Sequence, residues 1–168
     1  MSEQSAMTDL DLRAVRRRWA SGVAVVTTVD GEGGFRGATV SAFAAVSLEP
    51  PLVLVCLDRS GRMSEMVPEA GIFAISILER DQEFLAERFA GRAPLPDRNF
   101  SGVLFRLAGN GCPILEGAHA WYACRVTATH DGGDHVVVIG AVDEAGVGPE
   151  TDDPLLTYDA HYRGLGVR

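Results

Sequence analysis

Short runs of β-branched and aliphatic residues, cut apart by glycine, proline and aspartate, constrain this chain more than any other feature. Val23-Ala24-Val25-Val26-Thr27-Thr28-Val29, Leu52-Val53-Leu54-Val55-Cys56-Leu57 and Ile72-Phe73-Ala74-Ile75-Ser76-Ile77-Leu78 each have the length of a strand and the side chains that suit a pleated surface. Phe35 to Phe43, Val103 to Leu107, Ala118 to Thr129 and His135 to Val142 read the same way. Asp30-Gly31-Glu32-Gly33-Gly34 and Asp131-Gly132-Gly133-Asp134 between them supply the glycine that hairpin turns require. Six or more strands at this spacing, with few helices, predict a mainly β fold, a closed antiparallel barrel. A parallel α/β sheet fits poorly, because only two helices fall between strands, Met63 to Val67 (stopped by Pro68) and Asp81 to Ala90 (closed by Gly91). An earlier helix is predicted by Thr8 and Asp11 as a cap, with Leu12, Val15 and Trp19 as an apolar stripe packed on something larger.

The stretch Gly37-Ala38-Thr39-Val40-Ser41-Ala42-Phe43-Ala44-Ala45-Val46-Ser47-Leu48-Glu49-Pro50-Pro51 is unusual in its smallness. It reads as a strand ending at a double proline, which removes two backbone donors and forces an extended turn into the Leu52 strand. Two strands meeting at such a corner can wall a flat cavity faced by backbone N–H groups and the hydroxyls of Thr39, Ser41 and Ser47. The same hydroxyls read equally as satisfied edge positions. Arg59, Ser60 and Arg62, one loop beyond, are either a phosphate cradle or solvated loop charges. Phe89 faces the same cavity or belongs to the core, and Asp134-His135 is either a functional imidazole or turn chemistry. Residue patterns alone therefore reach a soluble β-barrel with a possible pocket for an anionic ligand.

Composition narrows the function classes. A chain of 168 residues is one domain, expected over 8–168, able to bury roughly 70% of its unfolded surface, with residues 1–7 a flexible N-terminus. A net charge of −8 argues against a nucleic-acid partner. All 15 cationic residues are arginine, which excludes a P-loop lysine and a Schiff-base lysine. No apolar run approaches the ~20 residues of a membrane span, and no secretory signal is visible, so a cytoplasmic protein is expected. Cys56, Cys112 and Cys124 are odd in number and far apart and read as reduced thiols. The four histidines have no metal-ligand spacing, so no metal is expected. Neither G-x-G-x-x-G nor G-x-S-x-G occurs.

Taken together, Trp19 to Thr28, Gly37 to Phe43, Val46 to Leu57, Phe73 to Leu78, Phe89-Ala90-Gly91, Gly133-Asp134-His135, Ile139 to Val142, Pro154-Leu155-Leu156 and Tyr162-Arg163 resemble, in order, the flavin reductase-like family. The resemblance spans roughly residues 12–165. It implies an FMN-binding split β-barrel of antiparallel Greek-key type, commonly a homodimer, that passes hydride from NADH or NADPH to FMN or FAD. Reduced flavin would then supply a partner flavin-dependent monooxygenase. Carried over by position, Thr39, Val40, Ser41 and Ala42 would line the flavin ring and ribityl chain, with Ser47 beside them. Cys56, Leu57 and Asp58 would continue that wall, Ser60 and Arg62 would take the phosphate, and Phe89 and Ala90 would pack near the cofactor. His135 would meet the nicotinamide nucleotide and Tyr162 would close the site. The family pattern is departed from at Glu49, where many relatives have aspartate. A non-enzymatic flavin- or haem-binding barrel is the rival reading, and an oxidase of the pyridoxamine phosphate type a third.

Overall fold

The computed structural model describes residues 9–91, 100–150 and 153–166. The expected cap at Thr8, the flexible residues 1–7 and most of the proline-bearing loop after Gly91 lie outside the described residues. Helix α1 (Asp9–Arg17) leads through β1 (Ser21–Gly22) into β2 (Ala24–Val29), β3 (Phe35–Val40), β4 (Phe43–Leu48) and β5 (Pro51–Asp58). Then come α2 (Met63–Ala70), β6 (Ile72–Ile77), a single 3₁₀ turn (Arg80–Gln82) and α3 (Glu83–Phe89). Strands β7 (Phe105–Leu107), β8 (Pro113–Leu115), β9 (Ala120–Gly132), β10 (His135–Val147), β11 (Leu156–Tyr158) and β12 (His161–Arg163) complete the chain.

Seven strands form one antiparallel sheet in the order β3-β2-β6-β9-β10-β5-β4. The two edges, β3 and β4, are consecutive in sequence and joined by Ser41-Ala42 alone. The chain thus steps from one edge to the other, and the Cys56 N–H donates to the Ala42 carbonyl at 2.9 Å, tying that step to β5. A sheet whose edges are so linked is curled into a barrel with a split between β3 and β4. The long strand expected from Gly37 to the prolines is therefore two strands, broken at the exposed Ser41-Ala42 rather than at Pro50-Pro51. The corner that matters is where the chain changes edges. Pro50-Pro51 only turns β4 back into β5.

β2 shows why its run is apolar throughout. Alternate side chains leave a strand on opposite faces, and here both faces are covered. Ala24 and Val26 join Val40, Val53, Val55, Leu57, Phe73, Ile75, Val136 and Val138 inside the barrel, with Met63 and Val67 of α2 closing one end. Val23 and Val25 face the other way, onto Leu78, Ala86, Phe89, Leu115 and Leu155 beneath α3. Thr27 and Thr28, fully buried, donate their hydroxyls to the carbonyls of Pro113 (2.6 Å) and Ile72 (2.7 Å), so neither leaves a dry polar group. Gly140 is dictated by packing: a Cβ there would come within 2.5 Å of the Phe73 ring.

Two expectations fail locally. α2 does not stop at Pro68 but runs on to Ala70, ending at Gly71 in the left-handed conformation (φ 70°). A proline in the last turn forfeits one helical hydrogen bond, and Met63 and Val67 in the barrel core hold the helix in place. The apolar stripe of α1 is not packed on this chain: Leu12, Val15 and Trp19 are all exposed. Amphipathic spacing says that a face is suited to burial, not that the same chain buries it.

Candidate active site in the barrel split

A cavity of about 390 Å³ opens at the split. One wall is the C-terminal half of β3 with the Ser41-Ala42 step: Gly37, Ala38, Thr39, Val40, Ser41 and Ala42. β3 is a sheet edge, so the backbone groups on its outer side have no strand partner. Cys56, Leu57 and Asp58 at the end of β5 form the facing wall, and Gly61, Arg62, Met63 and Met66 at the start of α2 form its end. Phe89 of α3 lines it while remaining buried, since its ring packs on Gly37, where a Cβ would sit 2.8 Å from a ring carbon. Small residues keep the space open, and the volume lies in the range of small-molecule and cofactor pockets.

The charges are arranged for an anion. Arg16 of α1, Arg36 of β3 and Arg62 at the head of α2 reach the cavity, against the single carboxylate of Asp58. Arg36 also pairs with Asp30 at 3.3 Å, whereas Arg16 and Arg62 have no ion-pair partner among the described residues. On a chain of net charge −8 this is a local reversal of sign. Asp58 accepts from the Ser60 backbone N–H at 2.7 Å, and hydrogen bonds from Ser60, side chain first, hold its carboxyl below the ordinary value, with a smaller pull from His135.

His135 opens β10 directly opposite Asp58 across the strand pair. Its Nδ1 lies 2.6 Å from Asp134 Oδ1. An ionised carboxylate only accepts, so Nδ1 carries the proton and Nε2 is left for a ligand. Cys56 has its thiol pushed up by burial; Cys112 and Cys124, deep in the core, are pushed up to about 11 and about 12. None offers a thiolate nucleophile near neutrality. Among the described residues no cluster of His, Cys, Asp and Glu is placed to hold a metal ion.

Of the residues singled out from the sequence, Thr39, Val40, Ser41, Ala42, Cys56, Leu57, Asp58, Arg62, Phe89 and His135 meet in this cavity. Ala90 and Tyr162 instead line a neighbouring hollow of about 360 Å³, which shares Thr39, Val40 and Ser41 with it. Ser47 sits on β4 beside Leu52, away from the cavity. Ser60 shapes the Asp58 loop and does not line the space. Arg59 is drawn off altogether, its Nε donating to the Gly133 carbonyl and its second guanidinium nitrogen to Asp131, both at 2.9 Å. Thr39 spends its hydroxyl proton on the Ala86 carbonyl at 2.6 Å, strapping β3 to α3, so the free hydroxyl on the wall is Ser41. Arg16, Arg36, Met63 and Met66 were not foreseen. Only the proximity of Arg36 to Gly37 hinted at one of them.

The flavin reductase like domain model matches residues 16–166. An NADH-dependent flavin reductase of Rhodococcus sp is 41% identical over 161 residues, covering 95% of this chain and 88% of that protein. The reductase subunit HsaB of a flavin-dependent monooxygenase from Mycobacterium tuberculosis is 37% identical over 154 residues, 91% of this chain and 80% of that one. Among solved structures, flavin reductase PheA2 in its native state superposes with a TM-score of 0.88 at 35% identity, covering 96% of this chain and 100% of that chain. The small-residue wall, the arginine-ringed cavity and the tethered imidazole thus sit on a fold shared along nearly its whole length, and the chain belongs to the flavin reductase-like family.

Proposed function

We propose that this protein is an NAD(P)H-dependent flavin reductase that supplies reduced flavin to a monooxygenase. The observation that carries the reading is the open cavity at the split: a wall of small residues on an edge strand, and a cationic rim. Those features suit FMN or FAD, a planar ring on a phosphate-bearing chain. Bound there, the flavin supplies the hydride-accepting chemistry, and NADH or NADPH supplies the hydride.

The chain's own residues do the rest. The β3 edge and the Ser41 hydroxyl would hold the ring and offer it hydrogen-bond donors for the negative charge it gains on reduction. Ala38, Thr39 and Ala42 leave one face uncovered, so a second planar ring can stack within reach. Arg62, with Arg16 and Arg36, meets the phosphate. His135, its ring fixed by Asp134, presents Nε2 to the nicotinamide nucleotide. No nucleophile or metal is required, and no acid–base pair.

A homodimer is part of the same reading. β4 is an edge strand whose Ala44, Ala45, Val46 and Leu48 are exposed, Leu48 at 93%, and an apolar edge of this kind calls for cover. A cytoplasmic location is supported by three free cysteines, and among the described residues no helix is long and apolar enough to cross a membrane. The test is direct. Purified protein with FMN or FAD should oxidise NADH or NADPH, followed as loss of the nicotinamide absorbance. Absence of turnover in all four combinations overturns the reading.

A further inference from the structure

Arg59 does not line the cavity, yet it bonds at three points to the hairpin tip that leads into His135. The β5–β10 ladder ends at the pair Asp58–His135, and the tip, Asp131 to Asp134, projects past the last residue of β5. Arg59 continues the pairing from there. Its backbone N–H donates to the Asp134 carbonyl at 3.0 Å. Its Nε donates to the Gly133 carbonyl and a terminal guanidinium nitrogen to Asp131 Oδ1, both at 2.9 Å. The same Asp131 oxygen accepts from the Gly133 N–H at 3.2 Å, so guanidinium, carboxylate and turn form one closed unit. The bond from Arg59 is also the foremost cause that holds the Asp131 carboxyl below its ordinary value.

As a source of folding stability this grip counts for little. The Arg59 side chain is 48% exposed and that of Asp131 81%, and ion pairs so open to water add little to stability. What it fixes is position. His135 follows Asp134 directly and donates from Nδ1 to its carboxylate at 2.6 Å, while Arg59 holds the Asp134 carbonyl. The Arg62 end of the loop is secured separately, to α2. There the Ser64 hydroxyl donates to the Gly61 carbonyl at 2.9 Å, and the Arg62 carbonyl accepts from the N–H groups of Glu65 and Met66. The hairpin tip is thus the part that Arg59 restrains. We propose that Arg59 is a positioning residue for hydride transfer, holding the hairpin tip against the loop before α2 so that His135 faces the cavity. The assignment rests on the reductase reading above. It asks for arginine in particular: a planar fork meets a carbonyl and a carboxylate side by side, whereas a lysine ammonium is a point charge on a flexible stem.

The test uses the full chain with Arg59→Ala, Arg59→Lys, His135→Ala and the double variant Arg59→Ala/His135→Ala. Arg59→Ala should raise KM for the nicotinamide substrate (NADH, or NADPH where that is the one turned over) about fivefold, and change the flavin dissociation constant less than about twofold. Arg59→Lys should recover little of that loss. In the His135→Ala background, removing Arg59 should add nothing, since it acts through the imidazole. Hydrogen exchange gives a reading apart from turnover. Arg59→Ala should speed exchange at Gly133 about tenfold and leave Glu65 and Met66, in the first turn of α2, near wild type. Additive losses in the double variant, full recovery by lysine, an equal loss of flavin affinity or unchanged exchange at Gly133 each overturn the assignment. A wild-type protein that oxidises neither NADH nor NADPH with either flavin removes the reductase reading, and with it the catalytic purpose of the clamp. Exchange at Gly133 then still decides whether Arg59 holds the tip.

Discussion

The two edges of the one large sheet, β3 and β4, are separated by two residues in sequence yet treated in opposite ways. β3 borders a cavity, carries Gly37, Ala38 and Thr39, and is flanked by arginines. β4 shows solvent an apolar row, with Val46 half exposed and Leu48 almost wholly so. An unpaired strand edge is a hazard unless something uses or covers it. Here one edge has the chemistry of a small-molecule site and the other that of a protein contact. A barrel that closed fully would have neither.

The contrast breaks most severely at Gly37. Gly37→Ala sets a methyl 2.8 Å from the buried Phe89 ring, so either the ring or β3 must shift. Moving that wall by even an ångström should lower kcat/KM for flavin up to about a hundredfold, measured by steady-state NADH oxidation. The opposite edge is tested by Val46→Asp/Leu48→Asp. In the proposed dimer, a charged pair there should raise the dissociation constant about thirtyfold or more, read by sedimentation, while flavin affinity per protomer is retained. Loss of flavin binding in that variant would show that the edges are not separable. His135→Ala sharpens the assignment within the cavity: KM for the nicotinamide should rise about tenfold and flavin affinity should hold, as judged by fluorescence quenching. Collapse of flavin binding instead would place His135 on the wrong ligand.

The smallest effect concerns acid. Asp58 and Asp131 are both held below the ordinary value of 3.8, Asp58 by Ser60 and Asp131 by Arg59 and the Gly133 N–H. A lowered carboxyl stabilises the folded loop fully above its unfolded value and loses that contribution as pH falls through the lowered one. The loop next to the cavity should therefore keep its order down to about pH 4 and loosen only below it. Asp58→Asn should remove the Asp58 share of that pH dependence and leave the Asp131 share, seen in hydrogen exchange of Ser60 and Gly61.

Much of the fold was legible because it is written locally. The β-branched runs of β2, β5 and β6, the glycine turn at Asp30–Gly34 and the long β9–β10 pair follow from residue pattern and turn chemistry. The order of strands is not local. Nothing in Gly37 to Leu48 says that the chain changes edges at Ser41, since both halves are equally strand-like. The site was legible in part for the same reason. Thr39 to Ala42 and Cys56 to Asp58 fall on the cavity because each is one continuous wall. Arg59 and Arg62 look equivalent in sequence, and Asp131 and the Gly133 carbonyl, more than 70 residues away, separate them by claiming Arg59. Arg16 and Arg36 come from elements that meet only in three dimensions. Ser47 and Ser60 carry the right hydroxyl, but neither lines the cavity.

The Ser41-Ala42 step has a mechanical consequence. From Val40 to Phe43 there are three peptide units, which span at most about 11 Å however far they are stretched. The two lips of the split are thus leashed at that corner and cannot gape there like a hinged jaw. The width of the slot at that corner is set by covalent reach before any side chain contributes.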